Sequence, residues 1–309
     1  MKILITGGLG FQGSHLTKHF LDKGHDVTVL NTYSEHSENH LDALAAKPRV
    51  VWGSVTDKEL VRKTVRDHDV IFHLAANINV DESIKLPYSF VDVNVYGTMN
   101  VLEAVREFGG RLIYASTCEV YGVNPGMDLL NEDAPLKPHS PYAATKAAAD
   151  RLCYAYFKTY NLDVAVVRPF NIFGEGQKDG QFGALIPIMV RRALHGENLQ
   201  VFGSGSQTRD YMYIQDLISA YDMVMETQNS AGQVYNFGTG VETSVRDIAE
   251  YIAKKMGVTV EYTNSRPGEV SRFCADLTKA KGLGFTAKFT IWEGIDNYIA
   301  WKKVQKNKA

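Results

Sequence analysis

The chain has 309 residues, 45% of them hydrophobic and 22% charged, with a formal net charge of −2 at pH 7. That is apolar material for one large α/β domain or two unequal ones, and the near-neutral balance argues against a nucleic-acid partner held by bulk electrostatics. The cysteines Cys118, Cys153 and Cys274 are few and widely spaced, which fits reduced thiols and neither a disulfide framework nor a metal site.

From the N-terminus, short apolar runs at 2–6, 27–31, 49–52, 70–74, 111–116 and 164–168 alternate with helical periodicity over about 12–23, 57–67, 88–108 and 141–160. This alternation predicts an α/β fold with a Rossmann-like, doubly wound parallel sheet. The first run is too short for a signal peptide, and no stretch approaches the roughly 18 apolar residues of a transmembrane helix. A cytoplasmic protein without membrane attachment is expected. After Pro169 the pattern is broken by Gly174, Gly176, Gly180, Gly183, Gly203 and Gly205. A strand near 234–238 is expected to rejoin the sheet, and Ser244 and Asp247, at capping-box spacing, announce a helix over 244–257. Residues 1–170 are thus read as the sheet domain. Residues 171–309 are read mainly as a smaller cap at the carboxyl edge of the strands, where open α/β sheets bind ligands.

Thr6-Gly7-Gly8-Leu9-Gly10-Phe11-Gln12-Gly13 leaves the first strand and opens the first helix. Gly7 permits a tight turn, Gly10 lets the backbone approach a pyrophosphate, and Gly13 allows close helix–strand packing. Phe11 and Gln12 sit at the helix N-terminus that faces the anion. A dinucleotide is expected there. The second strand should end in an acidic residue for the adenosine ribose; it ends in Asn31, which can still hydrogen-bond a ribose hydroxyl. No Arg or Lys lies nearby in sequence to attract a 2′-phosphate, so NAD is favoured over NADP. Asp57 is placed either to contact the adenine or to cap the helix that begins there.

The run at 111–115 carries Ser116, Thr117, Cys118 and Glu119 to the carboxyl end of the sheet, and Tyr142 and Lys146 follow one helical turn apart. Together these two segments suggest redox chemistry on a sugar. The helix at 141–160 is apolar nearly all round, through Ala143, Ala144, Ala147, Ala148, Ala149 and Leu152 among others. A surface helix would show one polar face. Either it is a deep core helix beneath the cap, or it forms a two-fold homodimer interface with the helix at 88–108. The second reading is favoured.

The glycine pattern, His73-Leu74-Ala75-Ala76, Asn94-Val95-Tyr96-Gly97-Thr98, the 116–122 segment, the Tyr142/Lys146 pair and Arg168-Pro169-Phe170-Asn171 occur in order and at matching spacing. Over nearly its whole length the chain resembles the extended short-chain dehydrogenase/reductases of the nucleotide-sugar epimerase/dehydratase group. The resemblance implies that Ala75 belongs to the cofactor site and that Lys146 holds the nicotinamide ribose and lowers the Tyr142 pKa. Tyr142 then acts as base on a sugar hydroxyl, and Thr117 hydrogen-bonds the same oxygen. Asn171, Arg209 and Arg266 resemble the contacts to the substrate's diphosphate, and two separated arginines suit two phosphates. Either arginine is alternatively a surface ion-pair member.

Cys118 and Glu119 bear on the reaction. In the 4,6-dehydratases that this family contains, the corresponding motif is Thr-Asp-Glu, and in 4-epimerases these two positions are usually small or uncharged. Thr117-Cys118-Glu119 is similar to the version in UDP-N-acetylglucosamine 5,6-dehydratases. A thiol, with an ordinary pKa of about 8.5, stays protonated at neutral pH, and so supplies a neutral donor beside an ionised Glu119. The plainer reading of Cys118 is a small packing residue; that of Glu119 is a carboxylate tied to a partner. An NAD-dependent dehydratase of a nucleoside-diphosphate hexose is therefore expected, with a 4-epimerase as the alternative. A catalytically inactive NAD-sensing protein would have no use for Thr117, Tyr142 and Lys146 together.

Overall fold

In the strand Lys2–Thr6 (β1), Ile3, Leu4 and Ile5 are fully buried. Burial of successive residues means that both faces are covered, as a central parallel strand requires. The computed structural model describes residues 1–124, 128–180, 183–264 and 272–306. The chain forms two units, and the first gathers residues 1–124, 134–169 and 218–235. It contains α1 (Phe11–Asp22), β2 (Asp26–Asn31), α2 (Glu35–Ala43), β3 (Arg49–Trp52), α3 (Lys58–Val65) and β4 (Val70–His73). These are followed by α4 (Val80–Lys85), α5 (Pro87–Phe90), a π-helical turn (Val91–Tyr96), α6 (Gly97–Phe108), β5 (Arg111–Ala115), α7 (Pro141–Tyr160) and β6 (Val164–Pro169). The strand Val234–Phe237 lies beside β6, completing a seven-stranded sheet in which β5, β4, β1, β2 and β3 follow in that order. β1 pairs in parallel with β2 and β4, Ile5 lying opposite Val29 and Phe72. The α/β, Rossmann-like fold is as expected.

Local chemistry explains the helix that matters most. Ser140 accepts a hydrogen bond from the Ala143 N–H at 3.1 Å, Pro141 occupies the first turn, and Asn161 closes α7 in the left-handed conformation at φ 54°. Its inward residues include Tyr142, Ala143, Lys146, Ala149, Asp150 and Cys153, while Ala144, Ala148, Tyr154 and Ala155 are exposed. The reading of a deep core helix is thereby set aside, since one face of α7, with Ala144, Ala148 and Tyr154, stays exposed. The helix expected over 88–108 runs from Pro87 to Phe108, its middle wound as a π segment between α5 and α6. The polar helix α2, capped by Ser34 accepting from the Ser37 N–H, was not anticipated.

The second unit takes in the described residues of 125–133, 170–217 and 236–309. It holds β7 (Asn171–Phe173), α8 (Leu185–Leu194), β8 (Leu199–Phe202) and β9 (Thr208–Tyr213), and α9 (Ile214–Glu226) begins there. After Val234–Phe237 (β10) follow β11 (Glu242–Ser244), α10 (Val245–Met256), β12 (Val260–Thr263), β13 (Arg272–Phe273), α11 (Thr278–Gly282) and α12 (Ile291–Lys306). β9 pairs with β7, β11 and β13, and β8 pairs with β12. The Ser244 hydroxyl accepts from the Asp247 N–H at 3.0 Å and starts α10 as its spacing predicts. Among the described residues no helix is long and apolar enough to cross a membrane.

Candidate active site

The turn between β1 and α1 has the backbone shape of a dinucleotide cradle. Gly7 lies at φ +72°, and a Cβ there would stand 2.8 Å from the Ala75 nitrogen; at Gly13 a Cβ would stand 2.1 Å from the Gly7 carbonyl oxygen. Neither position has room for a side chain. Gly10 is the N-cap of α1 and offers no side-chain cap, and no acidic residue occupies the first turn, which contains Phe11 and Gln12. The positive end of the helix is thus left for an external anion. These residues fit NAD. Gly13→Ala is expected to lower NAD affinity at least about tenfold, measured by titration calorimetry, because seating the methyl requires moving backbone in the turn.

Asn31 serves this cradle differently from the expectation. It is buried, accepts from the Leu9 N–H at 3.1 Å, and donates both amide hydrogens, to the Thr32 carbonyl at 2.8 Å and the Ser37 hydroxyl at 2.9 Å. It braces the glycine turn, leaving only an Oδ1 lone pair for a ribose hydroxyl. Asp57 caps α3, accepting from the Leu60 N–H at 3.0 Å. The Ala75 N–H donates to the Thr6 hydroxyl at 3.3 Å.

The turn after β5 gathers the reactive groups. Thr117 caps a 3₁₀ turn, Cys118–Tyr121, by accepting from the Glu119 N–H at 3.2 Å. The Thr117 hydroxyl lies beside the Tyr142 phenol and eases its ionisation, while Glu119 and Cys118 oppose it. Thr117, Cys118, Glu119 and Tyr142 are therefore brought together. Cys118 is buried and Glu119 half-buried.

Lys146 behaves otherwise than the sequence reading expects. Its ammonium donates to the Ala115 carbonyl and lies 4.4 Å from the Tyr114 ring centroid. Burial pushes it down to about 7, partly offset by Cys153 and Asp150. Tyr142 is held above its usual value, first by burial; Thr117 opposes this, while Glu119 and Cys118 add to it. The expected lowering of the phenol by Lys146 does not describe this ligand-free arrangement.

Asn94, in the Asn94–Thr98 motif, has a role that its sequence position does not reveal. It lies in the π turn, accepts from the Asn77 N–H at 2.8 Å, and donates to the Thr145 hydroxyl at 3.0 Å. Thr145 in turn donates to the Tyr142 carbonyl at 2.8 Å. The interrupted helix thereby ties α7 down beside its reactive tyrosine, consistent with the frequent placement of π-bulges at functional sites.

In the second unit, Asn171 lies in register with Tyr211, and Arg209 donates to the Thr208 carbonyl at 2.8 Å with its guanidinium 5.3 Å from the Phe273 ring centroid. Arg266 lies outside the described residues.

A profile described as the NAD dependent epimerase/dehydratase family matches residues 3–238. The chain is 38% identical over 307 residues to the low-salt glycan biosynthesis protein of Haloferax volcanii, covering 96% of each. Its fold is similar to that of the UDP-glucose 4-epimerase of Thermotoga maritima solved with UDP-glucose, at a TM-score of 0.93 and 29% identity, covering 99% of this chain and 100% of the other. It is equally similar to a dTDP-glucose 4,6-dehydratase of Streptomyces venezuelae solved with NAD bound, at a TM-score of 0.91 and 31% identity, covering 100% and 98%.

Proposed function

The chain belongs to the NAD-dependent epimerase/dehydratase family, and from that premise we propose that it dehydrates a nucleoside-diphosphate hexose through a 4-keto sugar. Bound in the glycine turn, NAD would supply the hydride acceptor and donor of the cycle. Tyr142 takes the proton of the sugar 4-hydroxyl, Thr117 hydrogen-bonds that oxygen, and Lys146 holds the nicotinamide ribose. Glu119 removes the C5 proton, made acidic by the new ketone, and Cys118 donates a proton to the departing C6 hydroxyl. Gly7, Gly10, Phe11, Gln12 and Gly13 cradle the pyrophosphate, Asn31 is assigned to the adenosine ribose and Asp57 to the adenine, and Ala75 completes the cofactor site. Asn171, Arg209 and Arg266 are assigned to the sugar diphosphate.

One observation carries the choice of reaction: the turn that Thr117 caps brings a half-buried carboxylate, Glu119, near enough to the Tyr142 phenol for its charge to oppose ionisation. A 4-epimerase gains nothing from a carboxylate that opposes its own base. A dehydratase needs one within reach of the same ring. Incubating the NAD-loaded enzyme with UDP-, dTDP-, GDP- and CDP-hexoses, with mass spectrometry of the products, tests the reading. A product lighter by one water supports it; an isomer of unchanged mass replaces it with 4-epimerisation.

The proposed assembly is a homodimer through α7 and the segment from α4 to α6. Ile84, Leu86, Tyr88 and Tyr96 are exposed there, Tyr88 to 84%, as are Ala144, Ala148 and Tyr154 on α7, against which α4 and α5 pack. An apolar face of this kind is ordinarily covered by a partner. Tyr88→Asp is expected to weaken self-association about a hundredfold, read by sedimentation or light scattering.

A further inference from the structure

Arg168, on β6, and Asp150, on α7, are both buried, with 1% and 0% exposure. The guanidinium binds the carboxylate through two parallel bonds, Nε to Oδ2 and Nη2 to Oδ1, each 2.9 Å. Its Nη1 donates to the Tyr121 hydroxyl at 2.8 Å. Tyr121 is fully buried and ends the 3₁₀ turn that carries Cys118 and Glu119. Its carbonyl accepts from the Asn124 side chain at 2.7 Å and from the Lys137 N–H at 3.2 Å. Gly122 follows at φ +56°, where a Cβ would stand 1.7 Å from the Lys137 carbonyl oxygen, so this exit from the turn takes only glycine.

From this geometry we infer that Asp150, Arg168 and Tyr121 are positioning residues that hold the Cys118–Glu119 turn in register with the reactive face of α7. The turn is fastened to α7 at both ends. At its start Thr117 meets Tyr142; at its end Tyr121 meets Arg168, whose fork is fixed by Asp150, one turn beyond Lys146 on the same helix. Apolar residues of like volume are often as stabilising as a buried ion pair, so stability alone gives little reason to keep one here. What an ion pair adds is direction: a guanidinium fork bound at two points presents its third donor along a fixed line. A turn anchored by packing alone could slide or rotate between the sheet and the helix. The assignment of an elimination role to Glu119 rests on the dehydratase reading; the fastening of the turn does not.

Tyr121→Phe removes one hydrogen bond and keeps the ring, and Arg168→Lys removes the fork. In the folded, NAD-loaded enzyme, the rate of Cys118 alkylation by iodoacetamide is measured by peptide mass spectrometry, with Cys153 and Cys274 as internal controls, since all three thiols are buried. Cys118 in Tyr121→Phe is expected to react about tenfold faster than in the wild type, with the other two within about twofold. On an accepted nucleotide sugar, kcat is expected to fall about tenfold at a KM changed less than about twofold. Arg168→Lys shifts both readouts further in the same direction; should it not fold, Tyr121→Phe decides. Unchanged Cys118 labelling, or equal acceleration at all three cysteines, overturns the inference. A wild type that releases no water from any of the hexoses overturns the dehydratase reading, while the labelling still decides the fastening.

Discussion

Tyr142→Phe is expected to lower kcat about a thousandfold on whichever nucleotide sugar is accepted, while NAD still binds, because proton transfer by a positioned side chain contributes a factor of about 10² to 10⁴. The hydroxyl that the substitution removes is the one whose ionisation Thr117 eases and Glu119 opposes. The ring itself stays packed against Phe90, with centroids 6.5 Å apart and nearly perpendicular, so the variant retains its fold. Burial is the main cause that holds the phenol above its ordinary value, so Tyr142 enters the reaction as a phenol. Steady-state turnover together with calorimetric NAD titration checks the prediction. Retained turnover would remove Tyr142 from the mechanism.

Glu119→Gln is expected to separate the two halves of the proposed reaction. Loss of the carboxylate should slow release of water about a hundredfold or more, while oxidation at C4 continues and reduced nicotinamide absorbance builds up on mixing with substrate. The amide is close in size to the carboxylate, so packing around the turn is preserved. It also removes a charge that opposes ionisation of Tyr142, so the oxidation step should be no slower and could quicken. Stopped-flow absorbance and product mass are read on one sample. Dehydration at the wild-type rate would assign Glu119 a structural role.

The parts of this architecture legible in the sequence are those set by neighbouring residues. β1, its glycine turn and α1 announce themselves through an apolar run and glycines that a Cβ would obstruct. The Tyr142/Lys146 spacing similarly needs only a helix, and Ser140 with Pro141 supplies its start. What escapes is set by partners distant in the chain. Asn31 reads as a ribose ligand alone, and only folding shows that its oxygen also accepts from Leu9, 22 residues earlier, and braces the glycine turn. Lys146 looks like the group that tunes Tyr142 until burial and the Ala115 carbonyl are placed around it. Asp150 reads as an ordinary polar helix residue, and only folding pairs it with Arg168. α2 was missed for a different reason: its face is too polar to give a periodic apolar signal, although the Ser34/Ser37 cap was there to read.

The route of the backbone through the first unit bears on how the protein is made. Arg111, at the start of the central strand β5, donates to the carbonyls of Met225 and Thr227, 114 and 116 residues further along. The first unit is completed only by residues 218–235. On the ribosome, the edge of the sheet at β6 therefore stays uncovered until synthesis passes β10, Val234–Phe237. Such long-range closure is intrinsically slow, so the interval in which chaperones can act on the emerging polypeptide is written into its connectivity.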